Sequence, residues 1–571
     1  MKLKSIIFTL FLITQCMLVN ATNVSGNVYG HWTIAGSPYN VINNINIPID
    51  STLIIDPGVE VVFNANYEFV INGRLLAQGN VIDTISIYAV NTIPGFGGIR
   101  FENINNNQDS SIFEFCNIYN ARVGSSGASG TNNYGGAFFI NNFSKIRIQH
   151  CHIHNNVTFG AGGGISCYAN SNPLILDNLF NLNTAGVAGS TIAQGGGIHC
   201  AINSHAVVMR NHFTHNTAAN GGSAIFTSGS NVNFIENLVD SNGRIPLYFS
   251  SSGNGIIKGN TVINNIASSS NGPAIHCLLT GNVLIEQNEI AYNKNNVAAL
   301  SGVGTGGGLA VINSTSAVIS KNNIHHNIID RLTNTSILSG AGIYADINGD
   351  SLLIIDNKIY NNAVLKYCQG GGVYLTKGIL INNLIVNNGS YGNSPYGRGG
   401  AIYATDSVKV FNNTIAHNYA YREGGGVYFY GGKGSQFKNN IVYGNAVHPT
   451  GSGKQMYCFN GTLSPLSNNF DIAFCDIEGG YNDIGHSYPT ITGTIYQSNL
   501  DTIPLFVNPS PGTSDSTDAT GSNFSLQSSS SLINAGDSIS NLVNYDIQGY
   551  DRIFDTQIDI GAYEYLSVIG P

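Results

Sequence analysis

An internal repeat dominates the chain, and it constrains the possible folds more than any other feature of the sequence. One complete unit and the opening of the next occupy residues 399–429. The unit begins with a glycine run and a short apolar segment, passes through an alternating Val408 and Val410, and ends in the pattern Asn-x-apolar-x-x-Asn at Asn413. Each unit is too short and too rich in glycine for a pair of helices, so the repeat predicts strands.

The asparagine pattern recurs along most of the chain, with starts separated by about 23 to about 35 residues, a spacing typical of solenoids. Cys116 and Cys151 take the place of the first asparagine in two earlier copies. Glycine runs such as the one before Ile165 recur with it. The first asparagines are Asn178, Asn211, Asn237, Asn260, Asn288, Asn322, Asn357, Asn383, Asn413 and Asn440.

Short runs that alternate with a period of two indicate strands with one buried face. Stacking such units places equivalent residues on top of one another, about 4.8 Å apart. We therefore predict an all-β fold, a right-handed parallel β-helix of about 12 or more coils. We also expect the first asparagines to form a buried ladder, because stacked side-chain amides can hydrogen-bond to one another along the pile.

The repeat pair, seen as Gly-Gly-Ala-Ile-Tyr ending at Tyr403 and as Phe-Thr-His-Asn beginning at Phe213, resembles two known groups. It is similar to right-handed parallel β-helices of the pectate-lyase-like superfamily, and to the repeats of chlamydial polymorphic membrane proteins, which are adhesins. The resemblance implies the fold for about residues 40 to 450. It does not specify an activity, since the same fold carries lyases, hydrolases, adhesins and inert scaffolds.

The N-terminus has the features of a secretory signal. Lys2 and Lys4 precede an apolar run that ends before Ala21, where we expect cleavage. We expect a secreted or cell-surface protein, and Cys16 is a poor candidate for lipidation because Gln15 precedes it. The predicted domains are a signal peptide (1–21), an N-terminal cap with the first coils (22–112), regular coils (113–450) and a C-terminal closing, anchor-proximal module (451–571).

Charge excludes some partners. Only 10% of the residues are charged and the net charge is −9. The sequence has no basic stripe, so it does not suggest a protein that binds nucleic acid. Outside the N-terminal run, no stretch is long enough to form a transmembrane helix. We expect a monomer whose partner is a polysaccharide or a cell-surface glycan.

The C-terminal module resembles the region called choice-of-anchor Q in secreted bacterial β-helix proteins. The residues that carry this resemblance are 546–549, Arg552 and 559–564. Five charged residues lie in this ending: Asp546, Asp551, Arg552, Asp559 and Glu564. Their oxygens could bind calcium, but we favour a salt-bridged cap that closes the last coil, and we predict no cofactor. Cys458 and Cys475 lie outside the regular coils and form the predicted disulfide. Without a Cys-x-x-Cys spacing, we predict no metal site.

One stretch suggests a binding site. Four successive coils place a tyrosine at the same outward position, beside a loop edge that collects tyrosines and charges. This column could be a stabilising aromatic ladder or a platform for sugars. The candidate glycan-binding residues are Tyr344, Tyr374, Tyr403, Tyr428, Tyr367, Tyr396, Arg398, Tyr421, Arg422 and Glu423.

Three functions remain open from the sequence. We predict an adhesin-like recognition protein that binds glycans. The alternatives are a polysaccharide lyase or glycoside hydrolase of the same fold, and a passive structural stalk. No paired carboxylates of the kind that glycosidases need stand out in the repeats, so the sequence supplies no catalytic residues.

Overall fold

The computed structural model describes residues 21–102, 109–125, 130–186, 193–267, 272–297, 304–331, 337–349, 351–392, 396–405, 407–431, 434–459, 470–487, 495–512, 517–538, 543–553 and 557–566. The predicted signal before Ala21, with Cys16, lies outside these residues. Strands predominate in the described part, and the helical segments there are short 3-10 turns at Ile34–Gly36, Thr131–Asn133 and Gly480–Asp483.

Each regular coil contributes one strand to each of three long parallel sheets. Sheet 1 contains the strands that follow the glycine runs, sheet 2 those before the first asparagine, and sheet 3 those after it. A strand pairs with its counterpart in the next coil, as Ile402 does with Val427 and Tyr403 with Tyr428. The chain therefore winds as a parallel β-helix, which the repeat predicts.

Sheet 1 comprises Phe69–Ile71, Ile99–Phe101, Phe138–Asn141, Ile165–Tyr168, Ile198–Ala201, Ile225–Ser228, Leu247–Ser250, Ile275–Leu278, Leu309–Ile312, Ile343–Asp346, Val373–Leu375, Ile402–Ala404, Val427–Tyr430, Met456–Phe459 and Gly485–His486. Sheet 2 comprises Gly30–Trp32, Thr52–Ile55, Arg74–Gln78, Ser111–Glu114, Ile146–Gln149, Leu174–Leu176, Val207–Met209, Asn233–Ile235, Gly255–Lys258, Asn282–Glu286, Ser316–Ser320, Ser351–Ile355, Gly378–Ile381, Val408–Phe411, Gln436–Lys438, Asp471–Ala473 and Ile495–Gln497.

Sheet 3 comprises Glu60–Phe63, Ile85–Ala89, Cys116–Tyr119, His152–His154, Leu179–Asn181, His212–Thr214, Leu238–Asp240, Thr261–Ile263, Glu289–Ala291, Asn323–His325, Lys358–Tyr360, Leu384–Val386, Thr414–Ala416, Ile441–Tyr443 and Asp476–Ile477. The N-terminal strands Thr22–Asn27 and Tyr39–Ile47 pair with each other, and the second also pairs with the first strands of sheets 1 and 3.

Shorter strands line the turn that follows sheet 3. They are Arg122–Val123, Val157–Thr158, Thr184–Ala185, Thr217–Ala218, Ile266–Ala267, Lys294–Val297, Ile328–Arg331, Ala363–Val364, Gly389–Ser390, Tyr419–Ala420 and Ala446–Val447. Three more lie in the loops before sheet 1, at Gly304–Thr305, Leu338–Ser339 and Cys368–Gln369.

The interior of the coils is a continuous apolar core. Inward residues such as Ile165, Ile198 and Val373 are fully buried. Equivalent side chains stack from coil to coil, and the rings of Phe180 and Phe213 lie 4.7 Å apart and nearly parallel. This regular stacking follows from the parallel register, because each inward side chain meets its own counterpart in the next coil.

The first asparagines are all buried, and from Asn178 to Asn413 each donates from its side-chain amide to the side-chain oxygen of the next one, at 2.9–3.1 Å. A second ladder, which the sequence analysis did not predict, runs through the other turn of sheet 3 from Asn156 to Asn445. Cys475 takes the place of an asparagine beyond Asn440, whose backbone N–H points to its sulfur at 3.4 Å.

This position of Cys475 explains why the predicted disulfide is wrong. Cys458 lies within a strand of sheet 1, whereas Cys475 belongs to the ladder turn before sheet 3. Both residues are therefore parts of regular coils on different sides of the core. All eight cysteines in the described part are buried free thiols, and burial raises the pKa of Cys458 and Cys475 to about 12.

The coils continue past residue 450. Strands of all three sheets follow that position, the last being Ile495–Gln497.

At the N-terminal end of the helix, Trp32 is 6% exposed and stacks on Tyr39 with ring centroids 4.4 Å apart. Its place at the first coil is that of a cap residue.

After the last coil, the chain turns back and packs on the outer face of sheet 3. Only this later part of the predicted closing module of residues 451–571 lies outside the coils, and from here on the C-terminal module means the described residues of 500–566. It contains the antiparallel pair Phe506–Asn508 and Asn523–Leu526. An apolar cluster joins it to the helix, and its members include Leu384, Ala416, Ile441, Phe506, Phe524, Leu532, Ile560 and Tyr563.

The expectation that a salt-bridged cap closes the last coil is therefore half right. Arg552 and Glu564 form a buried ion pair at 2.7 Å, and Asp546 accepts the backbone N–H of Glu564. However, Arg552 also donates to Asn382, so the cluster lies against the side of the helix and not across its end. The buried apolar contacts with sheet 3 decide this position.

Candidate functional site

The predicted tyrosine column points outward from the coils, but it is not a surface. Tyr344 and Tyr403 are 7% and 3% exposed, and Tyr428 is fully buried. Tyr374 is only half-buried, and Tyr457 in the next coil extends the column. Alternation correctly separates this column from the core, but it cannot show that loops cover the outer face.

The orientation of the rings also excludes a stacking platform. Neighbouring tyrosine rings lie 4.8 to 5.4 Å apart with interplanar angles of 11° or less. Each ring therefore covers the faces of its neighbours and leaves only edges outward. Sugars pack against aromatic faces, so this column has the geometry of the stabilising ladder and the platform interpretation is wrong.

The loop edge beside the ladder is occupied by its own contacts. Glu423 accepts from Arg398 at 2.8 Å and from Arg422 at 3.0 Å. The Arg398 guanidinium also lies over the Tyr428 ring at 5.2 Å. The remaining tyrosines pair with neighbouring rings, Tyr367 with Tyr396 and Tyr421 with His448. Because the Glu423 carboxylate pairs with both guanidinium groups, each of these two arginines already has an ion-pair partner within the edge.

A more open site lies where the C-terminal module meets sheet 3. A cavity of about 550 Å³ separates the two. Leu384 and Val386 contribute apolar surface from the coils, whereas Phe524 and Tyr563 contribute aromatic surface from the module. Cavities of this size, with apolar walls and a few polar groups, are typical of ligand sites.

Two lysines stand at this cavity. Lys321 precedes a ladder asparagine and Lys358 follows one, so they lie in neighbouring coils on the same side of the helix. Both are exposed, and neither forms an ion pair with any residue that the structure describes. Two cations of neighbouring coils therefore face a cavity with aromatic walls.

The carboxyl group of Asp356 lines the same cavity. Burial raises its pKa, while the amide of Asn382, which donates to it at 2.6 Å, and the charge of Lys321 oppose this rise. Asp356 thus combines with the lysines to give a mixed polar site with an excess of positive charge.

Next to the cavity, Glu289 and His325 form a close hydrogen bond. The other Glu289 oxygen accepts from Asn323 at 2.7 Å, and the second ring nitrogen of His325 lies 2.7 Å from His326. Burial raises the pKa of Glu289, but the bonds from His325 and Asn323 outweigh it and the net pKa is lowered. The network is saturated internally, so neither group is presented to a ligand as a free base.

A second cavity, of about 330 Å³, lies beside the same part of the module. Tyr292 and Asn361 line it from the coils, and Asp518 lines it from the module. His326 approaches Asp518 at 3.5 Å, and burial lowers the pKa of His326. The tip of the module at residues 517–524 is thus bordered by a cavity on each side.

Sequence reasoning missed this site. Lys321, Lys358 and Tyr360 occur at ordinary positions of the repeat, and only the folded-back module makes them the border of a cavity. The positions of the two lysines next to ladder asparagines show that they point outward. Nothing in the repeat shows which outward face the module covers.

The stacked coils and the lateral cavities define a β-helical solenoid with ligand-sized sites on one side. The family model described as "Right handed beta helix region" matches residues 187–305 and 307–496, more than half of the chain. The chain belongs to this family, which confirms the predicted right-handed parallel β-helix.

Among solved structures, the chain is similar to one described as the crystal structure of the periplasmic alginate epimerase AlgG. The match covers 79% of this chain and 77% of that one, at 12% identity and a TM-score of 0.30, values too low to relate the two functions. No curated protein matches the chain. Within the described residues, no helix has the length and apolarity to cross a membrane.

Proposed function

We propose that the protein is an exported recognition protein that binds an acidic glycan in the cavity between sheet 3 and the C-terminal module. The observation that carries this proposal is the pair of lysines, Lys321 and Lys358, which form no ion pair within the described part of the protein and stand beside an aromatic-walled cavity. An acidic sugar offers apolar ring faces together with carboxylate or sulfate groups, and this site has partners for both.

Export is supported by the charged and apolar start of the sequence, which has the pattern of a secretory signal. A glycan outside the cell is a ligand that such a protein can meet. The low content of charged residues, 10%, makes two lysines in adjacent coils a distinctive feature of this surface.

We favour binding over catalysis because the acid–base groups near the cavity are already engaged in hydrogen bonds within the protein. Glu289 and His325, next to the cavity, are engaged with each other and with Asn323 and His326. The Asp356 carboxyl, which lines the cavity, accepts a hydrogen bond from Asn382. A catalytic base needs a lone pair directed at its substrate. The lyase and hydrolase alternatives therefore have less support than recognition does.

The proposal is tested by titrating the mature protein with acidic and neutral oligosaccharides in a calorimeter. The double variant Lys321→Ala/Lys358→Ala should bind acidic glycans at least about tenfold more weakly, which corresponds to about 1.4 kcal/mol. Lys409→Ala is the matched control, because Lys409 is exposed on the outer face of sheet 2.

Equal affinity of the double variant and the parent for every acidic glycan that the parent binds would refute the assignment of the site. A parent that binds no glycan in a broad array would refute the function itself. Thermal melts of all variants show whether a loss of binding reflects unfolding.

A further inference from the structure

The second cavity, beside the tip of the C-terminal module, differs in its chemistry from the cavity with the two lysines. It has a volume of about 330 Å³, and Ile328, Ala363, Leu365 and the Tyr391 ring line it from the coils. Asp518 lines it from the module. No lysine or arginine is found among the described residues that line it. The cavity therefore combines apolar and aromatic walls with a carboxylate.

The Tyr391 ring takes the place of a missing side chain. Gly389 pairs with Ala363 of the preceding coil and with Tyr419 of the following one. A Cβ at Gly389 would lie 1.9 Å from Cε2 of Tyr391, so the ring covers this glycine. The ring also stacks on that of Tyr419, with centroids 5.3 Å apart. One face of the Tyr391 ring is therefore turned to Tyr419 and the other to Ala363.

The small side chain of Ala363 leaves a gap next to this ring face. In the preceding coil, Ile328 pairs with Ala363, so the three side chains follow one another in a single outward column. Ala363 projects only a methyl group, whereas its neighbours in the column are an isoleucine and a tyrosine ring. All three residues line the cavity. A compact ring can therefore lie on Ala363 against the Tyr391 ring.

Asp518 supplies a negative charge to this cavity. Its Oδ1 accepts hydrogen bonds from the side-chain amide of Asn361 and from the backbone N–H of Thr520. Burial raises the pKa of Asp518, but these bonds and the nearby His326 outweigh it and hold the pKa below its ordinary value. The side chain is 58% exposed. The carboxylate is therefore ionised at neutral pH and can contact a molecule in the cavity.

His326, whose Nε2 lies 3.5 Å from Oδ1 of Asp518, does not neutralise this charge. The backbone N–H of Ala519 donates to Oδ1 of Asn361 at 3.2 Å, which fixes the orientation of that amide. The amide nitrogen of Asn361 therefore donates to Nε2 of His326 at 2.9 Å. An imidazolium ion has no lone pair that could accept this bond, so His326 is neutral in this arrangement.

We propose that the second cavity binds an organic ammonium ion, a primary amine carried on a compact ring. The ring lies on Ala363 against Tyr391, and the ammonium group pairs with Asp518. Charge-assisted hydrogen bonds to a carboxylate are stronger than neutral ones, and a cation is also attracted to the face of a tyrosine ring. This ligand and its cavity are separate from those of the proposed function.

Benzylamine and benzyl alcohol are suitable probes, because they share a ring and differ in the ammonium and hydroxyl groups. Benzylamine, as a primary amine, is protonated at neutral pH. Each probe is titrated against the mature protein at pH 7.5 and followed by NMR. The parent protein should bind benzylamine at least about tenfold more tightly than benzyl alcohol. Equal affinities, or no binding of benzylamine, would overturn the proposal.

The variant Asp518→Asn tests the charge. Asparagine keeps an acceptor for Asn361 and Thr520 and removes the ionised group, so the affinity for benzylamine should fall about tenfold, to that for benzyl alcohol. Asp50→Asn is the matched control, because Asp50 is exposed at the N-terminal end of the helix, and it should bind both probes like the parent. An unchanged preference for benzylamine in Asp518→Asn contradicts the assigned contact.

The variant Ala363→Leu tests the position of the ring. Leucine fills the gap beside Tyr391, and benzylamine should bind at least about tenfold more weakly. Parental affinity in this variant shows that the amine binds elsewhere and overturns the site. Ala363 points outward and is partly exposed, so the coils should tolerate the change. If Ala363→Leu melts at a lower temperature than the parent, Ala363→Val replaces it in the same titration.

Discussion

Replacing Asn383 with leucine probes the ladder that holds the coils in register. Asn383 is fully buried in the middle of the first ladder. Its side-chain oxygen accepts two hydrogen bonds from Asn357, one from the backbone N–H at 2.9 Å and one from the side-chain amide at 3.0 Å. Leucine has a similar shape but offers neither an acceptor nor a donor.

Asn357 can replace one of these two hydrogen bonds but not the other, and this difference sets the expected loss of stability. The side-chain amide of Asn357 also donates to the carbonyls of Ile319 and Ile355, at 2.8 and 3.0 Å. The backbone N–H of Asn357, by contrast, loses its acceptor and stays buried. One orphaned donor costs about 1–3 kcal/mol, so Asn383→Leu should lower the free energy of unfolding by that amount.

Two measurements test this loss. Urea denaturation followed by circular dichroism reports the global stability. Because stacked repeats can open locally, hydrogen exchange at the Asn357 amide reports the local effect and should accelerate roughly ten- to a hundredfold. Asn233→Leu is the control, since Asn233 is an exposed outward residue of sheet 2.

The ladder argument is refuted if Asn383→Leu and Asn233→Leu have the same stability to within about 0.5 kcal/mol, the usual range for surface substitutions. Unchanged exchange at Asn357 would contradict it as well, because that amide is the group which loses its partner.

Two further predictions concern buried side chains. Labelling the mature protein after denaturation without reductant should detect the eight free thiols of the described cysteines, and a count lower by two would indicate that Cys458 and Cys475 are joined. Burial lowers the pKa of His276 to about 4, whereas an unfolded histidine binds a proton near 6.5. Stability from this residue is therefore present above about pH 6.5 and lost as the pH falls to about 4, by a few kcal/mol. His276→Phe, which keeps the stack on Tyr248, should flatten the dependence of the unfolding free energy between pH 7 and pH 4.5, and an unchanged slope would contradict the assignment.

The sequence alone determined the coil and its ladder. Alternation with a period of two assigns Ile402 to the core and Tyr403 to the outside, because a strand has only two faces. The recurring Asn-x-apolar-x-x-Asn pattern places Asn383 above Asn413, because parallel stacking puts equal positions of successive repeats in contact. Both inferences need only the local period and the repeat length.

Tertiary structure decided everything that depends on what covers the outer faces. Loops bury the tyrosines around Tyr403, whereas the outward side chain of His152 on sheet 3 stays half-exposed, although both residues point outward. The turn at Cys475 continues the ladder and separates it from Cys458. The C-terminal module could equally have closed the last coil. Its apolar residues, among them Phe524, find their partners on sheet 3, over a hundred positions earlier in the chain, and a contact between segments so distant in sequence leaves no periodic signal in either one.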